Sequence, residues 1–236
     1  MASIGRLAIT WLGHSTFLLR TPGGRRVIFD PWLVDNPSCP EEWKRKVPIV
    51  DVVMVSHGHS DHVGDAARVA RENNVPVVGM VELCQWLQRQ GIRQVEPMNI
   101  GGTITVAGLR VTLVEAQHSS AWSEGEFPVY LGVPAGFILT LEDGRVIYFA
   151  GDTGVFEGMR LIRELYQPEI AFLPIGDRFT MGPRAAAMAC DLLGAKQVVP
   201  MHYGTYPALT GTPKELRRFV SVGIDVLECR PGETVE

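Results

Sequence analysis

Between Ser56 and Asp65 the chain reads S-H-G-H-S-D-H-V-G-D, which places His57, His59, Asp61 and His62 within six residues. Imidazole nitrogens and carboxylate oxygens are the donors that borderline divalent ions such as zinc take. A lone loop histidine is ordinarily a solvated surface group. Three histidines and an aspartate in one turn, straight after the apolar run Asp51-Val52-Val53-Met54-Val55, read instead as ligands. Alternation in a tight turn sends His57 and His59 to one side, while Asp61 and His62 reach a second point nearby. One turn can therefore serve two neighbouring metals.

The chain has six histidines, and the other three also follow strand-like runs. His14 stands in Leu12-Gly13-His14-Ser15, His118 in Ala116-Gln117-His118-Ser119-Ser120, and His202 in Pro200-Met201-His202-Tyr203-Gly204. Asp152 follows a further apolar run, in Ala150-Gly151-Asp152-Thr153-Gly154. Singly, His118 and His202 could be capping or core histidines, and Asp152 a helix cap. Together they form a pattern in which several strands each deliver one ligand type at the C-terminal end, where ligand sites commonly gather in sheets with helical crossovers. None of the six histidines falls inside a helix expected from the sequence.

The elements that must hold these residues are legible from periodicity and turn chemistry. Strands are expected at Leu7–Leu12, Thr16–Arg20 and Arg26–Phe29, with Thr21-Pro22-Gly23-Gly24 turning the last two into a hairpin. Asn36–Pro48 reads as a surface loop, and Trp122–Pro134 as a second loop that with it would set specificity. Helical spacing covers Gly64–Asn73 and Val81–Gln90, around a strand at Val75–Val78. Strands follow at Gln94–Met98, Thr103–Val106 and Arg110–Glu115. In the second half, Ala135–Leu141 and Val146–Ala150 flank the turn Glu142-Asp143-Gly144. A helix at Val155–Tyr166, a strand at Ile170–Pro174, a helix at Arg184–Leu193 and a strand at Gln197–Met201 come next. Thr212-Pro213-Lys214-Glu215 is a capping box opening a helix to Val220, before a last strand at Ile224–Glu228. Two comparable halves of this kind suit two sheets packed face to face with helices outside. No linker interrupts the 236 residues, so a single domain over 1–236 is expected.

Composition narrows the function. A hydrophobic fraction of 46% and a charged fraction of 20% are ordinary for a globular enzyme. The net charge of -4, without a long Lys/Arg block, argues against a nucleic-acid track. Cys39, Cys84, Cys190 and Cys229 are widely separated, as buried thiols in a reducing compartment would be. Met1–Gly13 lacks the apolar core of a leader, and no run approaches the ~20 apolar residues of a membrane span. A soluble cytoplasmic protein is expected.

The H-x-H-x-D-H pattern of His57 to His62 resembles the signature of the metallo-β-lactamase superfamily. Length and later motifs, including Phe29-Asp30-Pro31 and the segment from Pro174 to Pro183, are most similar to a small family of metal-dependent hydrolases near the ascorbate-phosphate lactonases. The resemblance implies an α/β (α+β) fold, a four-layer αββα sandwich of two mixed sheets. It makes His57, His59 and His118 ligands of one metal and Asp61, His62 and His202 ligands of a second, with Asp152 bridging. Zinc comes first among the candidate ions, ahead of manganese, iron, cobalt and nickel. Oxygen-reducing di-iron relatives carry Glu where this chain has His59, which favours hydrolysis over redox chemistry.

Two such ions about 3.5–4 Å apart lower the pKa of a shared water, and the resulting hydroxide attacks a carbonyl or phosphoryl centre. Asp61 is placed to orient that nucleophile or accept its proton. His14 stands outside the seven ligands and is a candidate for catalysis, substrate contact or support of a ligand. Asp177, Arg178 and Thr180 are candidates for substrate binding, and Asp30 for support, although turn caps would look alike. The expected activity is hydrolysis of a small-molecule ester, lactone or phosphodiester. Its alternatives are a nuclease of the same superfamily and a non-catalytic metal-binding module. Many relatives assemble, so a homo-oligomer stays open.

Overall fold

The computed structural model describes residues 6–236, so the first five residues of the Met1–Gly13 stretch read for a leader lie outside the described residues. In chain order the strands of the first half are β1 (Ala8–Trp11), β2 (Phe17–Arg20), β3 (Arg26–Phe29), β4 (Val52–Met54), β5 (Val77–Met80) and β6 (Val95–Met98). The second half supplies β7 (Thr103–Val106), β8 (Leu109–Glu115), β9 (Ala121–Glu124), β10 (Phe127–Tyr130), β11 (Ala135–Thr140), β12 (Val146–Phe149), β13 (Ile170–Pro174), β14 (Gln197–Met201), β15 (Asp225–Val226) and β16 (Thr234–Val235). The helices are α1 (Glu41–Arg45), α2 (Ser60–Val63), α3 (Ala66–Asn73), α4 (Val81–Arg89), α5 (Gly158–Tyr166), α6 (Pro183–Leu193) and α7 (Pro213–Phe219).

Two seven-stranded sheets result, ordered β16-β1-β2-β3-β4-β5-β6 and β15-β14-β13-β12-β11-β8-β7. They are built alike. In the first, β16·β1, β1·β2 and β2·β3 are antiparallel and β3·β4, β4·β5 and β5·β6 parallel. In the second, β7·β8, β8·β11 and β11·β12 are antiparallel and β12·β13, β13·β14 and β14·β15 parallel. The hairpin turns match in detail. Thr21 N–H donates to Arg25 O and Gly24 N–H to Thr21 O; Leu141 N–H donates to Arg145 O and Gly144 N–H to Leu141 O. The halves are thus a structural repeat that their side chains conceal.

The inner parallel strands β4, β5 and β13 are buried on both faces, which explains their apolar sequences, whereas the edge strands β6 and β15 are largely exposed. Between the sheets, Phe29 of β3 stacks on Phe149 of β12 with ring centroids 4.3 Å apart and an interplanar angle of 12°. Phe17, Phe137 and Phe172 close around them, all fully buried. Helices α3 and α4 pack on the first sheet and α6 on the second, giving the αββα layering. The relevant consequence is directional. The parallel strands of both sheets run towards one edge, and their C-terminal extensions meet there.

Four local expectations are corrected. The supposed loop Asn36–Pro48 contains α1, which starts behind Pro40 and carries Glu41 and Glu42 in its first turn, favourable against the helix dipole. The segment Trp122–Pro134 is largely the hairpin β9·β10, turned at Gly125 with φ +65°. Asp61 and His62 lie in the short helix α2, so one of the six histidines is helical after all. The last expected strand shrinks to Asp225–Val226, while Thr234–Val235 adds an edge strand beside β1.

Candidate metal centre

Each ligand candidate sits just past a strand end. β1 leads to His14, β4 to His57, β8 to His118, β12 to Asp152 and β14 to His202. His14 and His202 both adopt left-handed backbone, at φ +56° and +54°, as does Asp30 at +43°. Such outliers in residues other than glycine cluster at functional sites, where the surroundings over-determine them. Here His202 N–H donates to His14 O at 3.1 Å, tying the ends of the two sheets together. Gly151, at φ +60°, lets the turn into Asp152 cross the Ser56 side chain; a Cβ there would lie 2.7 Å from Ser56 Cβ.

The ligand atoms fall into two groups. His57 Nε2 lies 3.0 Å from His59 Nδ1, and His118 Nε2 lies 3.3 Å from the same atom. The second group is His14, Asp61, His62 and His202. Asp152 Oδ2 stands between the groups, 3.6 Å from His118 Nε2, 3.4 Å from His62 Nε2 and 3.0 Å from His202 Nε2. The structure therefore brings together all seven expected ligands and His14.

These donors fit a metal on their own chemistry. His57 Nδ1 is engaged by Ser56 Oγ at 3.0 Å and His59 Nε2 by Ser119 Oγ at 3.3 Å. If each ring bears its proton at that atom, two lone pairs face each other at 3.0 Å, an arrangement that a cation stabilises. Tetrahedral zinc with Zn–N of about 2.0–2.1 Å has nitrogen–nitrogen edges of about 3.3–3.4 Å, close to the spacings here. His62 Nε2 and Asp152 Oδ1 are buried without a hydrogen-bond partner among the described residues, which fits atoms that coordinate a metal.

A model of the β-lactamase superfamily domain matches residues 25–203. A UPF0173 metal-dependent hydrolase of Koribacter versatilis is 48% identical over 97% of this chain and 97% of its own length. The chain belongs to this family, within the metallo-β-lactamase superfamily. A UPF0173 metal-dependent hydrolase of Methanopyrus kandleri is 44% identical over 98% of this chain and 100% of its own length. A solved metallo hydrolase from Ignicoccus hospitalis superposes with TM-score 0.85 at 37% identity, covering 97% of both chains.

The electrostatics of this metal-dependent hydrolase divide the site. Burial, reinforced by neighbouring histidines, lowers the pKa values of His57, His59 and His118, which keeps the three imidazoles neutral and able to coordinate. Burial also pushes His14 down to about 4. Burial opposes ionisation of Asp61, but His62 and the His14 hydrogen bond outweigh it and hold the carboxyl well below its usual range. Asp152 is likewise lowered against burial, by His202 and His62. His62 is raised despite burial, by Asp152, Asp30 and Asp61.

His14 is fully buried; its Nε2 meets Asp61 Oδ2 at 3.0 Å and its Nδ1 meets Thr205 Oγ1 at 2.9 Å. Asp30, also fully buried, is no mere turn cap. It accepts Ser56 N–H, Ser56 O–H and His62 Nδ1–H, each at 2.7 Å. The grouping of Asp30 with His57 and His62 is consequently a hydrogen-bonded support and not a third ion site. Asp177 and Arg178 are exposed and Thr180 half-buried. Among the described residues none of these three hydrogen-bonds or ion-pairs with the ligand cluster. Their loop is nevertheless pinned beside it, because Met181 N–H donates to Thr153 O at 3.1 Å. Sequence reasoning missed Ser56 and Thr205 as supports. Ser56 was readable from its place between Asp30's strand partner and His57; Thr205 gave no signal, since its partner lies 191 residues away.

Proposed function

We propose that this hydrolase uses two divalent ions, zinc first among them, to cleave an ester, lactone or phosphodiester bond in a small molecule. The observation that supports this most strongly is the place of Asp152 Oδ2, within 3.6 Å of ligand nitrogens from both groups. His57, His59 and His118 would hold one ion and Asp61, His62 and His202 the other, with Asp152 reaching both. Such a pair supplies Lewis acidity and a water of lowered pKa.

The chain's own residues do the rest. Neutral His14 donates its Nε2 proton to Asp61, with Thr205 O–H donating to Nδ1, so the tautomer is fixed from both sides. Held in this way, Asp61 keeps one oxygen on His14 and is ionised, which suits it to orient the nucleophile or take its proton. The Asp177-Arg178-Phe179-Thr180 loop borders the site, and Arg178 is its candidate for an anionic substrate group. The formal charge of -4 speaks for a small molecule over nucleic acid. We place the working protein in the cytoplasm, on the strength of its four buried free thiols, Cys39, Cys84, Cys190 and Cys229.

The test is a screen of p-nitrophenyl esters, simple lactones and bis-p-nitrophenyl phosphate, with chelated enzyme supplemented by zinc or manganese. Turnover that depends on added metal and is lost in Asp61→Asn supports the reading. Turnover indifferent to chelation and to Asp61→Asn would refute it.

A further inference from the structure

The ligand set leaves one question open: what fixes which nitrogen of each histidine faces the ions. Asp30 answers it for two of them at once. Its backbone is locked at the end of β3, where its N–H donates to Met54 O at 2.9 Å and its carbonyl accepts Thr16 Oγ1 at 2.7 Å. Its Oδ1 accepts Ser56 N–H; its Oδ2 accepts both Ser56 O–H and His62 Nδ1. A carboxylate brings no proton to these bonds, so His62 must carry its proton on Nδ1 and leave Nε2 as the free donor. The serine has one hydroxyl proton, and Asp30 takes it. Ser56 Oγ can then only accept from His57 Nδ1, at 3.0 Å, which leaves His57 Nε2 as the free donor too.

His57 and His62 belong to different groups of ligands, the first with His59 and His118, the second with Asp61 and His202. We infer that Asp30 is a positioning residue shared by both metal positions, acting directly on His62 and through the Ser56 hydroxyl on His57. The inference rests on the two-ion reading above and adds an asymmetry to it. Loss of the Asp30 carboxylate releases a ligand at each position, whereas loss of the Ser56 hydroxyl releases only His57. Ser56 is thus a one-sided link and Asp30 a two-sided one.

The experiment measures zinc affinities of the two positions by chelator competition in wild type, Ser56→Ala and Asp30→Asn. His118→Ala and His202→Ala identify which position is which, and cadmium NMR gives a separate resonance for each. Ser56→Ala is expected to weaken the His57/His59/His118 position by about 10–100-fold and leave the other unchanged, while Asp30→Asn weakens both. Because Asp30→Asn alters a buried residue, the serine variant carries the decision if the aspartate variant does not fold. Nitrogen-15 NMR of the wild-type zinc protein supplies a second readout, with protons expected on Nδ1 of His57 and His62. Equal weakening of both positions in Ser56→Ala, no weakening at all, or a proton on Nε2 of His57 would overturn the inference and leave the two-ion reading standing. A wild-type chain that binds one ion or none would remove both.

Discussion

Asp61 and Asp152 are both held ionised against burial with His62 as a common partner, but Asp61 adds His14 and Asp152 adds His202, and that difference separates their roles. Asp152 lies on histidines from both ligand groups, so Asp152→Asn should lower metal content at both positions, with affinity losses of at least about 10–100-fold by elemental analysis and chelator competition. Asp61 instead shares its oxygen with His14. In Thr205→Val the buried His14 Nδ1 loses its partner, at a cost of about 1–3 kcal/mol in urea unfolding, with metal content retained. His14 also predicts a pH dependence. Its folded pKa of about 4 lies below the unfolded value of 6.5, so the unfolded chain binds more protons between these values. Stability of the chelated protein should therefore fall as pH drops from 6.5 towards 4, at up to about 1.4 kcal/mol per pH unit for this one group. His14→Gln should flatten that slope. His62 acts in the opposite sense: its raised pKa gives stability that is fully present below 6.5 and lost as pH rises through the folded value. A slope unchanged by His14→Gln would contradict the account.

The elements that carry these residues were largely legible. β13 and β14 run Ile170–Pro174 and Gln197–Met201, as periodicity and flanking turns dictate. Apart from Gln197 at the start of β14 their sequences are apolar, which admits few other positions in a two-sheet fold. The Thr212 cap was equally plain, and its side chain accepts Glu215 N–H. What escaped depends on long-range packing. The turn Gly125 gives little warning of a hairpin whose strand faces are mostly exposed. Asp30 reads as a turn residue until Ser56 and His62 arrive beside it from the next strand, and Thr205 has no meaning without His14. The inter-sheet Phe29–Phe149 stack is another contact that no local pattern announces. Phe149→Ala should cost about 3–5 kcal/mol, read from the denaturation midpoint, because the cavity opens where both sheets meet. A loss below about 1 kcal/mol would mean that the sheets do not depend on this layer.

For the whole molecule, two sheets of matching topology converge on one edge, and the site belongs to neither alone. His57, His59, Asp61 and His62 come from the first sheet's side, His118, Asp152 and His202 from the second's. Ions bound there would join the halves and should stabilise the fold by mass action. At free metal about 100-fold above the dissociation constant this is about 2.7 kcal/mol, or roughly 5–11 °C in melting temperature for a chain of this size, reversed by chelation. The most direct test of the central claim is the metal content of the purified chain, measured beside an Asp61→Ala/His62→Ala double variant. The account predicts about two equivalents in the native chain, falling to about one in the variant, with His57, His59 and His118 retaining theirs. A native chain that holds a single ion, or a variant that holds as much metal as the native chain, would contradict it.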